Sequence, residues 1–231
     1  MPAGLAILIC SGGLDSVTAA YYLNDIGYDL NIISFDYGQR HVKELKCARC
    51  CAETLRVKYD VIDLTSLGPL LSGSALTDNN VEVPDGHYEE ESMKATIVPN
   101  RNAIMLSIAF AIAQSRDAEY VAAAFHTGDH HIYPDCRAEF TDVFSTMQKV
   151  SQEGLCKIDL LTPFLSSSKT NVAYHAGRLG VPVSNTWSCY KGGHYHCGTC
   201  GTCTERIESL AEAGVYDGTY YESENIDVPN K

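Results

Sequence analysis

Two short stretches of this 231-residue chain carry residue types that bind ions or do chemistry. The first is Ser-Gly-Gly-Leu-Asp-Ser at residues 11–16, which follows an apolar run and precedes a helix-like pattern. A glycine turn between a strand and a helix exposes backbone N–H groups at the positive end of the helix dipole. The stretch therefore predicts an anion site, above all for phosphate. Its spacing fits neither G-x-x-x-x-G-K-S/T nor G-x-G-x-x-G, which disfavours the two commonest nucleotide-binding folds.

The residues of this turn have distinct expected roles. Gly12 and Gly13 let the backbone close around a pyrophosphate, while Ser11 and Ser16 add hydroxyl donors. Asp15 would repel the anion unless a cation lay between them, so we assign it to Mg²⁺ or to capping of the helix.

The second stretch lies near the end of the chain and predicts a zinc site. Four cysteines follow the pattern C-x₇-C-x₂-C-x₂-C, whose short glycine-bearing spacers let thiolates converge on a tetrahedral ion. His194 or His196 is an alternative for one of the thiolates. Four sulfur ligands leave no open coordination position, so the ion is expected to be structural, with one per chain. The predicted ligands are Cys189, Cys197, Cys200 and Cys203.

A further group of cysteines, Cys47, Cys50 and Cys51, falls within a helical pattern. Small apolar cysteines in such a position commonly serve as core packing, which is our interpretation here. Catalytic thiols of a tRNA-thiolating enzyme are the alternative.

Composition narrows the function classes. The chain has 29 acidic and 17 basic residues and a net charge of −12, which disfavours nucleic-acid binding because no basic field is available to gather phosphates. No apolar run approaches the roughly 20 residues that span a bilayer. The opening residues also lack the pattern of a leader segment. We therefore expect a cytoplasmic protein without a membrane partner, whose ten cysteines serve metal binding and packing rather than disulfides.

Alternating β-like and amphipathic runs predict the elements that must position these residues. Strands separated by crossover helices favour a three-layer, doubly wound α/β fold with a parallel sheet. We expect Ser167 or Ser168 to cap the last of the helices. Strands are predicted at 5–10, 30–35, 59–64, 120–125 and 157–163, and helices at 14–26, 39–55, 102–115, within 138–151 and at 169–179.

Two regions interrupt this alternation. Residues 65–99 are polar and predict a long loop, which is either a lid over substrate or a mobile acidic surface loop. After Val181 the composition changes to Cys, Gly, His and Thr. We therefore expect an α/β domain at 1–180 and a small four-cysteine zinc element at 181–231 packed on it.

Several strings carry a family resemblance. The turn at 11–16 resembles the PP-loop, S-G-G-x-D-S, of the ATP pyrophosphatases. Together with the cysteine tail, four further strings resemble the QueC family of 7-cyano-7-deazaguanine synthases. They are FDYGQRH at 35–41, VPNRN at 98–102, HTGDHHIYPDCR at 126–137 and TWSCY at 186–190.

This resemblance implies a fold of the adenine nucleotide alpha hydrolase type and a ligase activity that forms carbon–nitrogen bonds. Such an enzyme converts 7-carboxy-7-deazaguanine and ammonia into the 7-cyano product, through an adenylated carboxylate and an amide, in queuosine biosynthesis. ATP bound with Mg²⁺ is cleaved to AMP and pyrophosphate. The family also implies structural Zn²⁺ and a homodimer.

The resemblance carries site residues over by position. The implied ATP site is Cys10, Ser11, Gly12, Gly13, Leu14, Asp15, Ser16, Val17 and Thr18, joined by Tyr37, Arg40 and His41. The implied catalytic residues are Asp15, Ser16, Arg101, Arg137 and Lys169. The implied substrate-binding residues are Arg101, Tyr133, Asp135 and Arg137. His126, His130 and His131 are expected to line the pocket.

Ala138 stands where the family commonly has a proline, which leaves alternatives open. A relative of the family could adenylate the same acid and transfer it to another amine, such as a protein terminus. A tRNA-thiolating PP-loop enzyme and a zinc-organised module that binds ATP without turnover are further alternatives.

Overall fold

A computed structural model describes residues 3–71, 73–87 and 91–223 of the chain. Five parallel strands form one sheet in the order β3-β2-β1-β4-β5. The strands are β1 (Leu5–Ile9), β2 (Asp29–Asp36), β3 (Lys58–Asp63), β4 (Tyr120–Ala122) and β5 (Asp159–Leu161). The helices are α1 (Leu14–Asp25), α2 (Glu44–Leu55), α3 (Arg101–Ser115), α4 (Ala138–Ser151), α5 (Lys169–Arg178) and α6 (Gly201–Glu212). No helix within these residues is long and apolar enough to cross a membrane.

Helices cover both faces of the sheet, which confirms the three-layer, doubly wound α/β prediction. Because side chains alternate along a strand, Ile7 of β1 packs toward α3 and α4, whereas Ala6 and Leu8 pack toward α1, α2 and α5. The strand order reverses at β1, between β2 and β4. A sheet of this kind opens a crevice at the carboxyl ends of the strands where the order reverses, so the turn after β1 borders it.

Most predicted element boundaries agree with the structure within two residues, and two do not, the start of α2 and the end of β4. Helix α2 begins at Glu44 instead of residue 39, because the Gln39 side chain bonds to Tyr37 N and Phe35 O and stabilises a turn. Strand β4 ends at Ala122 instead of 125, and β5 covers only Asp159–Leu161. The backbone that follows β4 leaves the sheet and borders the crevice. Ser168 caps α5 as expected, since its Oγ accepts from Asn171 N at 3.2 Å.

The described part of the 65–99 loop is anchored in the core and is therefore not the mobile surface loop that was one of the two expectations. It contains two 3₁₀ turns, Thr65–Leu70 and Glu91–Thr96, and buries Leu76 and Met93. Arg40 donates to two carbonyl oxygens of this segment, Asp78 O and Val81 O, at 2.9 Å each. Residue 72 and residues 88–90 lie outside the described part, and for them the lid stays a prediction.

The segment after residue 181 contributes to the same core. Leu210 of α6, a helix that the sequence did not predict, packs in one hydrophobic cluster with Leu8 of β1. Trp187 N donates to Gly12 O at 2.9 Å, which joins this segment to the turn after β1. The division into 1–180 and 181–231 stays a prediction.

Candidate active site

The turn between β1 and α1 is held open by close backbone packing and by its own serines. Gly12 has φ +97°, and a Cβ there would lie 2.0 Å from Glu44 O, so glycine is required. Ser16 Oγ accepts from Gly12 N and donates to Gly13 O, at 3.2 Å each. Ser11 Oγ accepts from Gly13 N at 3.2 Å. The first N–H groups of α1 follow this turn without partners in their own helix, which suits them to an anion.

A partly buried ionic cluster lies beside the turn and is centred on Lys169, the first residue of α5. Its Nζ lies 2.7 Å from Asp15 Oδ2, 3.2 Å from Glu205 Oε2 and 3.5 Å from His126 Nε2. Burial alone would lower the pKa of Lys169, but Asp15 and Glu205 outweigh it and raise that pKa above its ordinary value. Burial alone would raise the pKa of Asp15, but Lys169 and His126 hold it below its ordinary value. Both groups are therefore charged at neutral pH.

One oxygen of this cluster is suited to a metal ion. Asp15 Oδ1 is buried, and no hydrogen-bond partner for it exists among the described residues. A carboxylate oxygen is the ligand that Mg²⁺ prefers. The observation fits the assignment of Asp15 to Mg²⁺.

The same cavity holds a second cation, Arg101, in a different environment. Its Nη1 donates to Tyr37 Oη at 3.3 Å, and its guanidinium stands 5.9 Å from the centre of the Tyr37 ring. Burial disfavours the charge, yet Tyr37, Tyr190 and Tyr133 hold the pKa of Arg101 above its ordinary value. Within the part of the chain that the structure describes, Arg101 has no carboxylate partner. Its planar fork is thus available to a ligand carboxylate or phosphate.

The cavity between these two cations brings together most of the site residues predicted from sequence. Its lining includes Cys10, Ser11, Gly13, Leu14, Asp15, Ser16, Tyr37, His41, Arg101, Tyr133 and Lys169. Gly12 belongs to the same turn and packs against Glu44 O and Ala48 N.

Five other residues predicted to bind ATP or substrate point elsewhere, and the cavity lining in the described structure includes none of His126, His130 and His131, which were expected there. Val17 and Thr18 are buried in the core, where helical periodicity turns them away from the cavity. Arg40 is committed to the two loop carbonyls described above. Asp135 Oδ2 accepts from Asn102 N at 3.1 Å at the beginning of α3, and Arg137 Nε donates to His130 O at 2.7 Å near the surface. These side chains therefore contact other parts of the protein and do not face the cavity.

Several cavity residues had no assigned role in the sequence analysis. Glu44 follows FDYGQRH by three residues, and Glu205 follows the last cysteine of the tail by two. Their closeness to those motifs in sequence was the one hint that they could belong to the site. A distance along the chain, however, does not show which way a side chain points. The others include Asp129, Trp187, Ser188 and Tyr190.

The four cysteines of the tail converge as predicted. Their Sγ atoms all lie within 4.8 Å of one another. Cys197 Sγ and Cys203 Sγ are 3.9 Å apart, close to the ~3.8 Å edge of a tetrahedron with Zn–S bonds of about 2.3 Å. Cys197 Sγ accepts from the N–H groups of Thr199 at 3.4 Å and Cys200 at 3.3 Å, as a thiolate ligand does. This donor set fits a structural metal ion of the zinc type.

The histidine alternative for this metal site is wrong for His196. Its Nε2 accepts from Ser188 N at 3.0 Å, and its ring stacks on Trp187 with centroids 4.3 Å apart. The cysteine group at 47–51 packs as predicted at Cys51, which is buried against the core.

Comparison with known proteins shows the family of this chain. The family described as Queuosine biosynthesis protein QueC matches residues 5–214. A 7-cyano-7-deazaguanine synthase of Brucella anthropi is 54% identical over 216 residues, which cover 94% of this chain and 93% of the relative. One of Rhizobium johnstonii is 54% identical over 220 residues, which cover 95% and 93%.

Similarity to solved structures is weaker. NMN synthetase from Francisella tularensis superimposes with a TM-score of 0.47 at 18% identity, covering 78% of this chain and 63% of that one. Sequence identity over nearly the whole length, together with the turn, the cavity and the four-cysteine cluster, shows that the chain belongs to the QueC family.

Proposed function

We propose that the protein is an ATP-dependent ligase that converts 7-carboxy-7-deazaguanine and ammonia into 7-cyano-7-deazaguanine, with ATP cleaved to AMP and pyrophosphate. The observation that carries the proposal is one cavity lined both by the glycine turn after β1 and by the cation Arg101, which has no carboxylate partner among the described residues. The relatives in Brucella anthropi and Rhizobium johnstonii bear the name of this activity. The product places the reaction in queuosine and 7-deazaguanine biosynthesis.

ATP would bind with its phosphates at the turn. Ser11, Gly13 and Ser16 provide hydroxyl and backbone donors there, and Lys169 provides a cation beside them. Asp15 Oδ1 would hold Mg²⁺, which supplies charge neutralisation for the departing pyrophosphate when bound. The ion pair between Asp15 and Lys169 would hold both side chains beside the phosphates.

The acid would bind with its carboxylate at Arg101. A carboxylate has no leaving group, so adenylation is needed before nitrogen can replace oxygen, and a second adenylation of the amide oxygen permits elimination to the nitrile. Arg101 would hold the carboxylate in line with the α-phosphate, which is an effect of positioning. Tyr133 and Tyr190 supply aromatic faces against which a deazaguanine ring can stack.

The four-cysteine site would hold one structural Zn²⁺ per chain. Because α6 begins immediately after Cys200, the ion would anchor the helix that presents Glu205 to Lys169. We propose on this basis that 181–231 is a small element packed on a PP-loop domain at 1–180.

Other properties are proposed by family membership alone. These are a cytoplasmic location and a homodimeric assembly, with small molecules as the only substrates. Transfer of the activated acid to a protein amine is not favoured, because the similar relatives are named for the nitrile-forming activity.

The test is product analysis by mass spectrometry after incubation with the acid, ATP, Mg²⁺ and ammonium. We expect the nitrile, with two AMP and two pyrophosphate released for each nitrile formed. Pyrophosphate release that depends on the acid but yields neither amide nor nitrile would contradict the assignment. Omission of ammonium is the control, and should leave an adenylate that hydrolyses to the starting acid.

A further inference from the structure

Glu44 is a buried carboxyl group in the cavity to which the proposed function assigns no role. It is the first residue of α2, and its side chain lines the cavity together with Arg101 and the turn after β1. Its backbone oxygen packs against Gly12, so the turn and this carboxyl group are held in one rigid arrangement. Any movement of the ATP-binding turn would therefore also displace Glu44.

The immediate partners of Glu44 are neutral. Oε1 accepts from Gln39 Nε2 at 3.0 Å, and the amide of Gln39 is itself fixed by Phe35 O at 3.0 Å. Oε2 lies 3.6 Å from His41 Nε2. Burial, Arg101 and Arg40 lower the pKa of His41 to about 3, so this histidine is uncharged.

Further titratable groups face this carboxyl from its own helix and from other elements. They are Arg101 of α3, Cys10 after β1, Asp36 at the end of β2, Tyr37 after it, Tyr59 of β3, and Cys47 on the next turn of α2 itself. Arg101 is the one cation among them, and it forms no ion pair with Glu44 in the described structure. Burial is the main influence and raises the pKa of Glu44 to about 8, although Gln39 and Arg101 act in the opposite direction.

The proposed reaction needs a proton acceptor in this cavity. Ammonia is present mainly as ammonium at neutral pH, and ammonium has no lone pair with which to attack a carbonyl carbon. The other carboxylates of the cavity have fixed partners. Asp15 and Glu205 are paired with Lys169, and Asp129 Oδ2 accepts from His126 N at 3.3 Å.

We propose that Glu44 accepts a proton from ammonium bound between its carboxylate and the acyl group held at Arg101, and so generates the ammonia that attacks the adenylate. This inference rests on the proposed function, since it assigns the nitrogen-activating group for that same site. The role requires the ionised form of Glu44, whose fraction grows as the pH rises toward its pKa of about 8, and that ionised form is a stronger base than an ordinary carboxylate.

The step balances as follows. An N–H bond of ammonium breaks and its proton passes to Glu44 Oε2. The nitrogen lone pair forms the C–N bond, and the C–O bond to the AMP phosphate breaks with its electron pair on the phosphate oxygen. The nitrogen then loses a second proton to the departing phosphate, which leaves a neutral amide, and Glu44 returns its proton to solvent.

The test compares two nucleophiles in the full-length protein. Glu44→Gln keeps the shape and the bond from Gln39, although it removes the acceptor. Hydroxylamine is already uncharged at neutral pH, so it needs no proton acceptor before attack and gives a hydroxamate. We expect Glu44→Gln to slow amide formation about 100-fold while hydroxamate formation and acid-dependent ATP–pyrophosphate exchange stay unchanged.

Glu53→Gln is the matched control, because Glu53 is exposed on the same helix. Equal slowing of amide and hydroxamate formation by Glu44→Gln would overturn the proposal and give Glu44 a role in adenylation or folding. If Glu44→Gln fails to fold, Glu44→Asp takes its place. Its shorter carboxylate should then slow amide formation about tenfold and leave the hydroxamate unchanged, and equal slowing again overturns the proposal. Absence of acid-dependent exchange in the wild-type protein would instead contradict the proposed function.

Discussion

Among its single residues, the cavity contains two partly buried cations whose neighbours carry different charges. Lys169 is surrounded by carboxylates, which neutralise it in the protein itself. Arg101 is surrounded by tyrosines, so its charge awaits an anion. We therefore expect Lys169 to hold Asp15 and Glu205 beside the turn after β1. We expect Arg101 to bind a ligand anion directly. The two residues should therefore respond differently to substitution.

Arg101→Met should weaken binding of the acid without destabilising the fold. A hydrogen bond to a charged group contributes about 1.5–3 kcal/mol, so the KM for the acid should rise at least about tenfold in the exchange assay. The melting temperature should not fall, because no carboxylate loses its partner. Arg178→Met, at a half-exposed position 3.8 Å from Asp25, is the control and should alter neither quantity. An unchanged KM in Arg101→Met would remove Arg101 from the acid site.

The raised pKa of Glu44 also predicts how the stability of the protein depends on pH, whatever the role of this residue in catalysis. Its pKa of about 8 in the folded state exceeds the ordinary value of 4.5, so the wild-type protein loses stability as the pH rises between those values. Glu44→Gln should therefore match the wild-type melting temperature near pH 4.5 and exceed it by about 5 °C above pH 8. Thermal unfolding across this range is the measurement. A constant difference at every pH would show that the carboxyl group titrates normally.

At the scale of elements, the contact between the turn after β1 and the start of α2 is the tightest in the site. Ala48 N of α2 lies 2.8 Å from the position of a Cβ on Gly12, in addition to the contact with Glu44 O. Both atoms belong to the backbone and cannot rotate away. The turn after β1 and the helix that carries Glu44 are therefore packed backbone against backbone, at a position where only glycine fits.

Gly12→Ala should damage this unit much more than an equivalent glycine substitution elsewhere. Gly27 has nearly the same backbone conformation, φ +93° against +97°, but a Cβ there meets nothing within 4 Å. Gly27→Ala should thus cost only the conformational strain, about 1–2 kcal/mol. Gly12→Ala should cost clearly more and abolish ATP binding, as measured by chemical denaturation and by calorimetric titration. Equal costs for the two variants would refute the steric argument.

At the scale of the whole molecule, a fully buried arginine ties the C-terminal segment to the domain. Arg206 of α6 pairs with Asp217 at 2.7 Å and donates to Thr186 Oγ1 at 2.7 Å and Val183 O at 2.8 Å. It also donates to Ser188, which lines the cavity. This hub and the four-cysteine site both hold α6, so the active site depends on a segment far along the chain.

Arg206→Met should therefore unfold the segment that follows residue 181. Removing one partner of a buried ion pair costs about 3–5 kcal/mol, because Asp217 would be left buried and unpaired. The double variant Arg206→Met/Asp217→Asn should recover part of this loss in chemical denaturation. A single variant as stable as the wild type would mean that the segment is held by the metal site alone.

Metal removal tests the other attachment of α6. The wild-type protein should contain one zinc ion per chain by elemental analysis, and a chelator should lower its melting temperature and slow pyrophosphate release. Cys203→Ser should bind metal less tightly, whereas Cys156→Ser is the control because Cys156 is exposed and distant from the cluster in sequence. Full activity after complete removal of the metal would contradict a structural role.

Local features of this protein follow from neighbouring residues and could be predicted without a structure. The period of its apolar residues predicted nearly every strand and helix, and glycine and cysteine spacing located the turn after β1 and the four-cysteine cluster. The exceptions are instructive. The beginning of α2 depends on the Gln39 side chain, and α6 depends on the core that receives Leu210.

Which polar side chains share the cavity depends on contacts between distant parts of the chain. Asp135 and Arg137 belong to a string as distinctive as the phosphate turn, yet one caps α3 and the other lies near the surface. Glu44 and Glu205 had no motif to mark them, yet both face the cavity. The physical reason is that the direction and partners of a side chain are set by contacts between residues distant in sequence, such as Lys169 with Asp15 and Glu205, and no local pattern encodes them.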